Sequence, residues 1–221
     1  MKLSSILLAR VVAFFEISEL KPRGAVFFPD VTRELVKRYG FQKFPKNYDE
    51  WESEKGAEFI TGKIGDEVIG KLILWNTGIT IETRSGTEMG KDLLIEMLDW
   101  AKKNFSLAEG PEIIRDWAYI SDLSFYSDVP LLSTGPKDRL AERISAELQS
   151  ILKPPLDYLP LAFSIGHDPL LRKHGRAPFT IQRRADTPFE NNLYFSEAPL
   201  PTQVHLKLLA EFEQDLASEA R

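Results

Sequence analysis

The sequence predicts an α+β protein of two pseudo-repeats, each with the element order β-α-β-β-β-α, in which antiparallel strands carry helices on one face. One observation behind this prediction is that short segments recur in the same order in both halves, as expected when two copies build the same unit. Another is that the predicted helices are apolar along one side, which is typical of helices that cover a sheet. The recurring segments are Ile17–Leu20 with Ile120–Leu123, Phe59–Gly62 with Phe163–Gly166, and the helix starts at Thr87 and Thr202.

The first half begins with a strand rich in Val, Phe and Ile. Pro29-Asp30 then opens a helix that stops at Gly40, and a polar loop follows over 44–55. Asn76–Gly78 is a good hairpin turn between two later strands. Thr87 caps a long helix whose apolar stripe should lie on the sheet. The predicted strands are 8–20, 58–64, 69–75 and 79–84, and the stripe is Leu93, Leu94, Met97, Leu98 and Ala101.

The second half repeats this order. A strand is followed by a helix over 136–152, which Pro154-Pro155 ends, then by three strands and a last helix capped by Thr202. The predicted strands are 116–126, 159–165, 179–184 and 192–197. The predicted inner faces are Leu140, Ile144, Leu148 and Ile151 in the first of these helices, and Val204, Leu208, Leu209 and Phe212 in the second.

Alternation along the strands predicts which side chains meet the helices. In the first half these are Ile73, Trp75, Ile79 and Ile81, and in the second half Phe179, Ile181 and Phe195. The opposite face should stay partly exposed and available for contact, as one face of an antiparallel sheet often does. The contact residues predicted on that face are Glu82, Arg84, Gln182 and Tyr194.

The order of elements is similar to the saddle-shaped, two-repeat fold of the TATA-box-binding protein. This resemblance concerns topology only and implies nothing about function. The repeats would occupy residues 1–107 and 108–221, either as two bodies or as one continuous domain. One further match, Thr80–Arg84 with Thr180–Arg184, conflicts with this register, so either one copy has shifted or the match is accidental.

The amino-acid composition excludes some classes of function. The chain has 221 residues, of which 43% are hydrophobic and 28% charged, which is ordinary globular usage. Its formal net charge of −5 opposes non-specific binding of the whole protein to nucleic acid. With no cysteine, disulfides and thiol catalysis are excluded. No apolar run is long enough for a membrane span, so we expect no membrane partner and a cytoplasmic location.

The most unusual local feature is a basic segment at 170–185. Clustered arginines suit phosphate or carboxylate partners, because a guanidinium can bind either group through two hydrogen bonds. This favours contact with a nucleic-acid backbone or an acidic protein surface. The alternative is that the segment pairs with the protein's own acidic helix around Glu211, Glu213 and Asp215. Its cations are Arg172, Lys173, Arg176, Arg183 and Arg184.

No catalytic or cofactor signature is present. Gly65–Leu72 nearly matches a phosphate-binding loop, but Leu72 replaces the required Ser or Thr and the segment bridges two predicted strands. We interpret His167, His174 and His205 as surface or loop residues rather than metal ligands. We therefore expect no metal and no cofactor, although catalysis by an unrecognised site stays open.

These features favour a non-enzymatic binding or scaffold protein. It would present the open sheet face or the basic segment to a protein partner or to a second copy of itself. The first alternative is a nucleic-acid-binding module that uses the basic segment, and it predicts binding that weakens steeply with salt. The second alternative is a hydrolase or nuclease with a site that the sequence does not reveal.

Overall fold

The structure is a computed structural model that describes residues 1–23, 27–52, 54–132, 136–149, 151, 153, 157–168, 170 and 176–219. Within these ranges the protein is α+β, as predicted, and its strands form one open antiparallel sheet in the order β2-β3-β4-β1-β5-β8-β7-β6. The strands are β1 Lys2–Phe14, β2 Ala57–Ile64, β3 Glu67–Trp75, β4 Gly78–Thr83, β5 Asp116–Tyr126, β6 Ala162–Ile165, β7 Phe179–Arg183 and β8 Leu193–Ala198. The helices are α1 Phe28–Tyr39, α2 Tyr48–Trp51, α3 Thr87–Asn104, α4 Pro136–Gln149 and α5 Thr202–Glu219.

The chain divides into two compact units. The N-terminal unit comprises Ile6–Ser121 and Pro199–Val204, and the C-terminal unit comprises Met1–Ser5, Asp122–Ala198 and His205–Arg221. Each unit has its own buried apolar residues. In the N-terminal unit they include Phe59, Leu72, Ile81, Leu94 and Leu98; in the C-terminal unit they include Leu123, Phe125, Leu132, Ile181 and Leu209. The predicted boundary between residues 107 and 108 stays a prediction.

The sheet of the N-terminal unit is buried on one face. Along β1, the buried Ala9, Val11 and Ala13 alternate with side chains that are partly exposed. Helix α3 covers this buried face at Gly90, where an added Cβ atom would lie 3.0 Å from a methyl carbon of Val11. The predicted stripe of α3 is confirmed in its central part, because the side chains from Leu93 to Leu98 that it names are buried.

The hairpin between β3 and β4 corrects the predicted faces of β3. Trp75 lies opposite Gly78 and Leu74 opposite Ile79, so even-numbered residues of β3 share a face with odd-numbered residues of β4. The prediction placed odd-numbered residues of both strands on the same face, and its assignment of β3 is therefore wrong. Gly78 makes this tight turn possible, since its φ is 149° and a Cβ atom would lie 2.2 Å from the Ala13 carbonyl oxygen.

Helices α4 and α5 bury different residues from those predicted. Leu140 is 60% exposed and Ile151, just beyond α4, is 72% exposed. The buried positions of α4 are the small residues Ala141 and Ser145. The Ser145 hydroxyl donates to the Ala141 carbonyl oxygen at 2.9 Å and accepts the Tyr158 N–H at 2.7 Å. Helix α5 buries Leu209 as predicted, but it exposes the predicted inner residues Val204 and Leu208 and buries His205 and Glu213.

Candidate functional site

The most distinctive site is an apolar cavity of about 340 Å³ in the N-terminal unit. Its walls are set by α1, by the middle and end of α3, and by a 3-10 turn at Ile17–Leu20 that follows β1. Helix α1 ends at Gly40, whose φ of 63° suits a residue without a Cβ atom. Among the described lining residues Ser18 is the only one with a hydroxyl or charged side chain. The others include Leu20, Val31, Leu35, Leu74, Met97, Leu98, Trp100, Ala101, Phe105 and Leu107.

Stacked aromatic rings form one side of the cavity. The rings of Phe28 and Trp51 lie 4.9 Å apart at an angle of 29°, and Tyr48 lies 5.6 Å from Phe28. The indole N–H of Trp51 donates to the Thr32 hydroxyl at 3.0 Å, which fixes the orientation of this ring. Helix α2, which carries Tyr48 and Trp51, begins where the Asn47 side chain accepts the Glu50 N–H. One part of the cavity lining is therefore aromatic, and the ring of Trp51 is oriented by a hydrogen bond.

A polar cluster lies around Trp100, another residue of the cavity lining. The Arg38 guanidinium lies 5.0 Å from the Trp100 ring centroid and pairs with Glu96. Its Nε–H also donates to the Tyr39 hydroxyl at 3.0 Å. Burial raises the pKa of Tyr39, so the phenol stays protonated and can donate to Glu96 in turn. These contacts join α1 to α3, two of the helices that line the cavity.

A second depression, which we call the basic groove, shares the rings of Phe28 and Trp51 with the cavity. It measures about 1030 Å³ and combines aromatic and proline residues with three cations. No acidic residue occurs among its described lining residues. Its most exposed aromatic residues are Phe27, 64% exposed, and Tyr48, 55% exposed. The cations that line it are Arg33, Lys37 and Lys46.

The basic segment predicted from the sequence is only partly described. Arg172 and Lys173 lie outside the described residues. Arg184 is paired with Asp186 at 3.2 Å. Arg183 donates to the Phe189 carbonyl oxygen at 2.9 Å and stacks over the rings of Phe189 and Tyr194. Two of the predicted binding cations are therefore engaged within the C-terminal unit, while the exposed Arg176 has an interaction of its own.

The acidic helix proposed as an internal partner for the basic segment is engaged elsewhere. Glu211 lies 3.7 Å from Lys207, one turn earlier on α5. Glu213 is buried and accepts hydrogen bonds from the Ser127 hydroxyl and the Asp128 N–H. No ion pair among the described residues joins this helix to Arg183 or Arg184.

The predicted sheet-face residues have different environments. Glu82 is partly exposed and pairs with Arg10 on the neighbouring strand at 2.7 Å. Arg84 lies just beyond β4 and is exposed, and Gln182 is exposed on β7. Tyr194 is the exception, because it is fully buried.

The register of β7 and β8 explains the error at Tyr194. Phe195 lies opposite the exposed Gln182, so it is Phe195 that occupies the outer face and Tyr194 that turns inward. The Tyr194 hydroxyl accepts the Leu131 N–H at 3.1 Å and lies 3.2 Å from the Asn192 side-chain oxygen. Tyr194 is therefore a core residue with a satisfied hydroxyl, and its prediction as a contact residue was wrong.

The described histidines, His167 and His205, have different environments. His205 is fully buried on α5, contrary to its interpretation as a surface residue, and its Nε2 lies 2.8 Å from the Ser196 hydroxyl. The hydroxyl hydrogen of Ser196 is directed to the Thr180 carbonyl oxygen at 2.6 Å, so His205 is the donor in this pair. Both side chains are inaccessible to a substrate. His167 is exposed, and His174 lies outside the described residues.

Metal binding is not indicated in the part of the chain that the structure describes. No three His, Asp or Glu side chains converge there in a way that could hold an ion. Nor does any described helix have the length and apolar character needed to cross a membrane.

The cavity was missed from the sequence because its residues come from separated segments. The region 44–55 was predicted as a polar loop, yet it contains α2 with Tyr48 and Trp51. The available signal was the density of aromatic residues between Phe27 and Phe59, which is unusual for a solvated loop. In comparisons with known proteins, the chain matches no family model and no curated protein.

Proposed function

We propose that the protein is a non-catalytic binding protein that holds an apolar ligand in the cavity of its N-terminal unit. The observation that carries this proposal is the apolar lining of a cavity of about 340 Å³. This volume falls within the range of small-molecule sites, about 300–1,000 Å³. The exposed Ser18 and Phe28 in its lining leave a route from solvent.

The energetics favour an occupant. A closed, empty cavity of this size would cost about 8 kcal/mol at roughly 24 cal/mol per Å³. That cost is comparable with the whole stability of a typical domain, about 5–15 kcal/mol. A cavity open to water instead wets apolar side chains such as Leu20 and Trp100, and burying them against an apolar chain would release that water.

Tryptophan fluorescence gives a direct test. Trp51 and Trp100 line the cavity, whereas Trp75 and Trp117 do not. A brominated medium-chain fatty alcohol should quench the first pair and leave the second pair largely unaffected. Single Trp→Phe variants assign the response to each ring. Quenching that does not involve Trp51 or Trp100 would contradict the proposal.

A variant that fills the cavity supplies the control. Ala101→Phe places a ring in the space beside Met97 and Leu98, and should weaken binding by at least about tenfold. Because it also covers apolar surface, the variant should be no less stable than the parent in thermal unfolding. Ala217→Phe, on α5 in the C-terminal unit, introduces the same residue away from the cavity and should bind normally. Equal binding by both variants would argue against the cavity as the site.

We also infer that the protein arose by duplication of a β-α-β-β-β-α unit. In chain order, β1, β2, β3 and β4 of the first half correspond to β5, β6, β7 and β8 of the second. The sheet order is β1-β4-β3-β2 in one half and β5-β8-β7-β6 in the other, so each strand has the same position as its counterpart. Helices α3 and α5 both begin at a threonine. Two of the sequence matches do not support this inference. Ile17–Leu20 is a 3-10 turn whereas its counterpart lies within β5, and the Thr80 match joins β4 to β7.

A second candidate function is docking of a protein partner on the C-terminal unit, at a surface other than the sheet face and the basic segment that the sequence suggested. The observation that favours it is the exposed apolar stripe of Leu140, Ile144 and Ile151. The occupant we favour is a second copy of the chain, because β6 is an edge strand that could pair with its own symmetry mate. Sedimentation analysis should show a dimer that Leu140→Glu dissociates and the exposed charge change Arg143→Glu does not. A strict monomer at high concentration would exclude this candidate.

A further inference from the structure

The basic groove indicates what the polar end of the ligand should be. It borders the cavity along the rings of Phe28 and Trp51, which line both spaces. A ligand whose apolar chain fills the cavity would therefore have its other end at this groove. This inference rests on the proposed function and specifies the chemical class of the ligand.

The cations of the groove differ in their availability. Arg33 is held by Asp30 at 2.8 Å, one turn away on α1. Lys37 and Lys46 are exposed, and neither forms an ion pair with a residue that the structure describes. The nearby Glu50 is turned to the backbone N–H of Lys46 at 2.9 Å and to the Asn47 amide. The ammonium groups of Lys37 and Lys46 are thus available to bind an anion.

We propose that the ligand is a single-chain amphiphile with an anionic head group, such as a fatty acid. Its chain would occupy the cavity, and its carboxylate would lie in the basic groove against Lys37 and Lys46. A lysine ammonium is a point charge on a flexible stem, so it selects for charge and not for a particular head-group shape. The absence of acidic residues from the described groove lining disfavours a cationic head group.

The experiment compares three probes with the same chain and different head groups: decanoate, decanol and decylamine, each below its micellar concentration. Displacement of the brominated alcohol at low salt should show decanoate binding more tightly than decanol by about tenfold, which is the effect of two weakly screened charges. Decylamine should bind least tightly. Added salt should reduce the advantage of decanoate and leave decanol unchanged.

The variant Lys37→Gln/Lys46→Gln should bring decanoate to the affinity of decanol without altering decanol itself. The matched control Lys63→Gln/Lys103→Gln removes the same net charge from exposed positions outside the groove and should keep the preference. If none of the probes binds, the proposed function fails. If all three bind equally, or if decylamine binds best, the function stands and the anionic head group is wrong. A preference that both double variants lose alike would assign it to net charge and overturn the role of the groove.

Discussion

Thr87 and Thr202 each cap the helix that the other begins. The Thr202 hydroxyl accepts the Thr87 N–H at 3.0 Å, and the Thr87 hydroxyl accepts the Thr202 N–H at 2.7 Å. The Glu88 carboxylate extends the arrangement by accepting the Gln203 N–H at 3.1 Å. Residues far apart in sequence thereby satisfy N–H groups that a helix start leaves without intrahelical partners.

Removing either hydroxyl should therefore destabilise the N-terminal unit. Thr87→Val and Thr202→Val keep the shape of the side chain but each leaves a buried N–H without its acceptor. We expect each to lower the free energy of unfolding by about 1–2 kcal/mol, measured by urea denaturation. Thr77→Val, in the exposed β3–β4 turn, is the control. If the cap variants were as stable as this control, these hydrogen bonds would contribute nothing.

Glu213 should make the C-terminal unit sensitive to acid. Burial opposes its ionisation, but hydrogen bonds from the N-terminal ammonium, from Ser127 and from Asp128 outweigh burial and lower the pKa of Glu213 from its ordinary value. A lowered folded-state pKa stabilises the fold above the unfolded value, and this contribution is lost as the pH falls through the folded value. Glu213→Gln should thus be less stable than the parent near pH 7, and the difference should shrink as the pH falls through the folded-state pKa of Glu213. A difference that is constant with pH would show that the charge is unimportant.

Among the elements, α3 and α4 carry similar apolar stripes and use them differently. Leu94 of α3 is fully buried, whereas Leu140 of α4 is 60% exposed. Leu94→Ala should cost about 2–5 kcal/mol of unfolding free energy, because it opens a cavity in a packed core. Leu140→Ala should change it by less than about 0.5 kcal/mol. Chemical denaturation of the two variants makes the comparison, and similar losses would mean that α4 buries its stripe after all.

The order of strands and helices could be predicted from local sequence signals. The buried face of each strand or helix could not. Thr87 and the turn at Asn76–Gly78 mark boundaries that depend on nearby residues alone, and the structure places elements there. Which side of an element is buried depends on its partners. For α4 the packed side consists of Ala141 and Ser145, and nothing in their size or polarity marks them as buried. For β3, the two-residue turn that joins it to β4 places even-numbered residues of β3 beside odd-numbered residues of β4. The predicted faces of the whole strand were therefore exchanged.

The candidate site was harder to foresee than the fold. The cavity requires α1, α3 and the Ile17–Leu20 turn to come together, and no spacing in the sequence encodes that convergence. The basic segment was conspicuous because its charges are contiguous. In the folded chain, however, the Arg183 guanidinium contacts the Phe189 carbonyl oxygen and the rings of Phe189 and Tyr194. These contacts cannot be read from the sequence. Contiguity in sequence drew attention to the basic segment, whereas the proposed head-group residues Lys37 and Lys46 are dispersed along the chain.

For the whole molecule, the main question is whether the two units unfold together. Each has its own buried apolar residues, and the cavity is lined by residues of the N-terminal unit alone. A ligand that binds only the folded form stabilises whatever unfolds with its site. Hydrogen exchange with and without a bound amphiphile therefore reports which parts of the chain share one cooperative unit.

We expect protection to increase in the N-terminal unit only. At a decanoate concentration of about one hundred times its Kd, the stabilisation is about 2.7 kcal/mol, and exchange through unfolding of that unit should slow by about a hundredfold. Peptides from α3 and β4 should show this slowing. Peptides from β7 and from the part of α5 after His205 should keep their rates, because their own core gains no contact with the ligand. Equal slowing in all four elements would instead identify a single cooperative unit, while leaving binding itself intact. Slowing confined to the C-terminal elements would place the ligand elsewhere and contradict the cavity as its site.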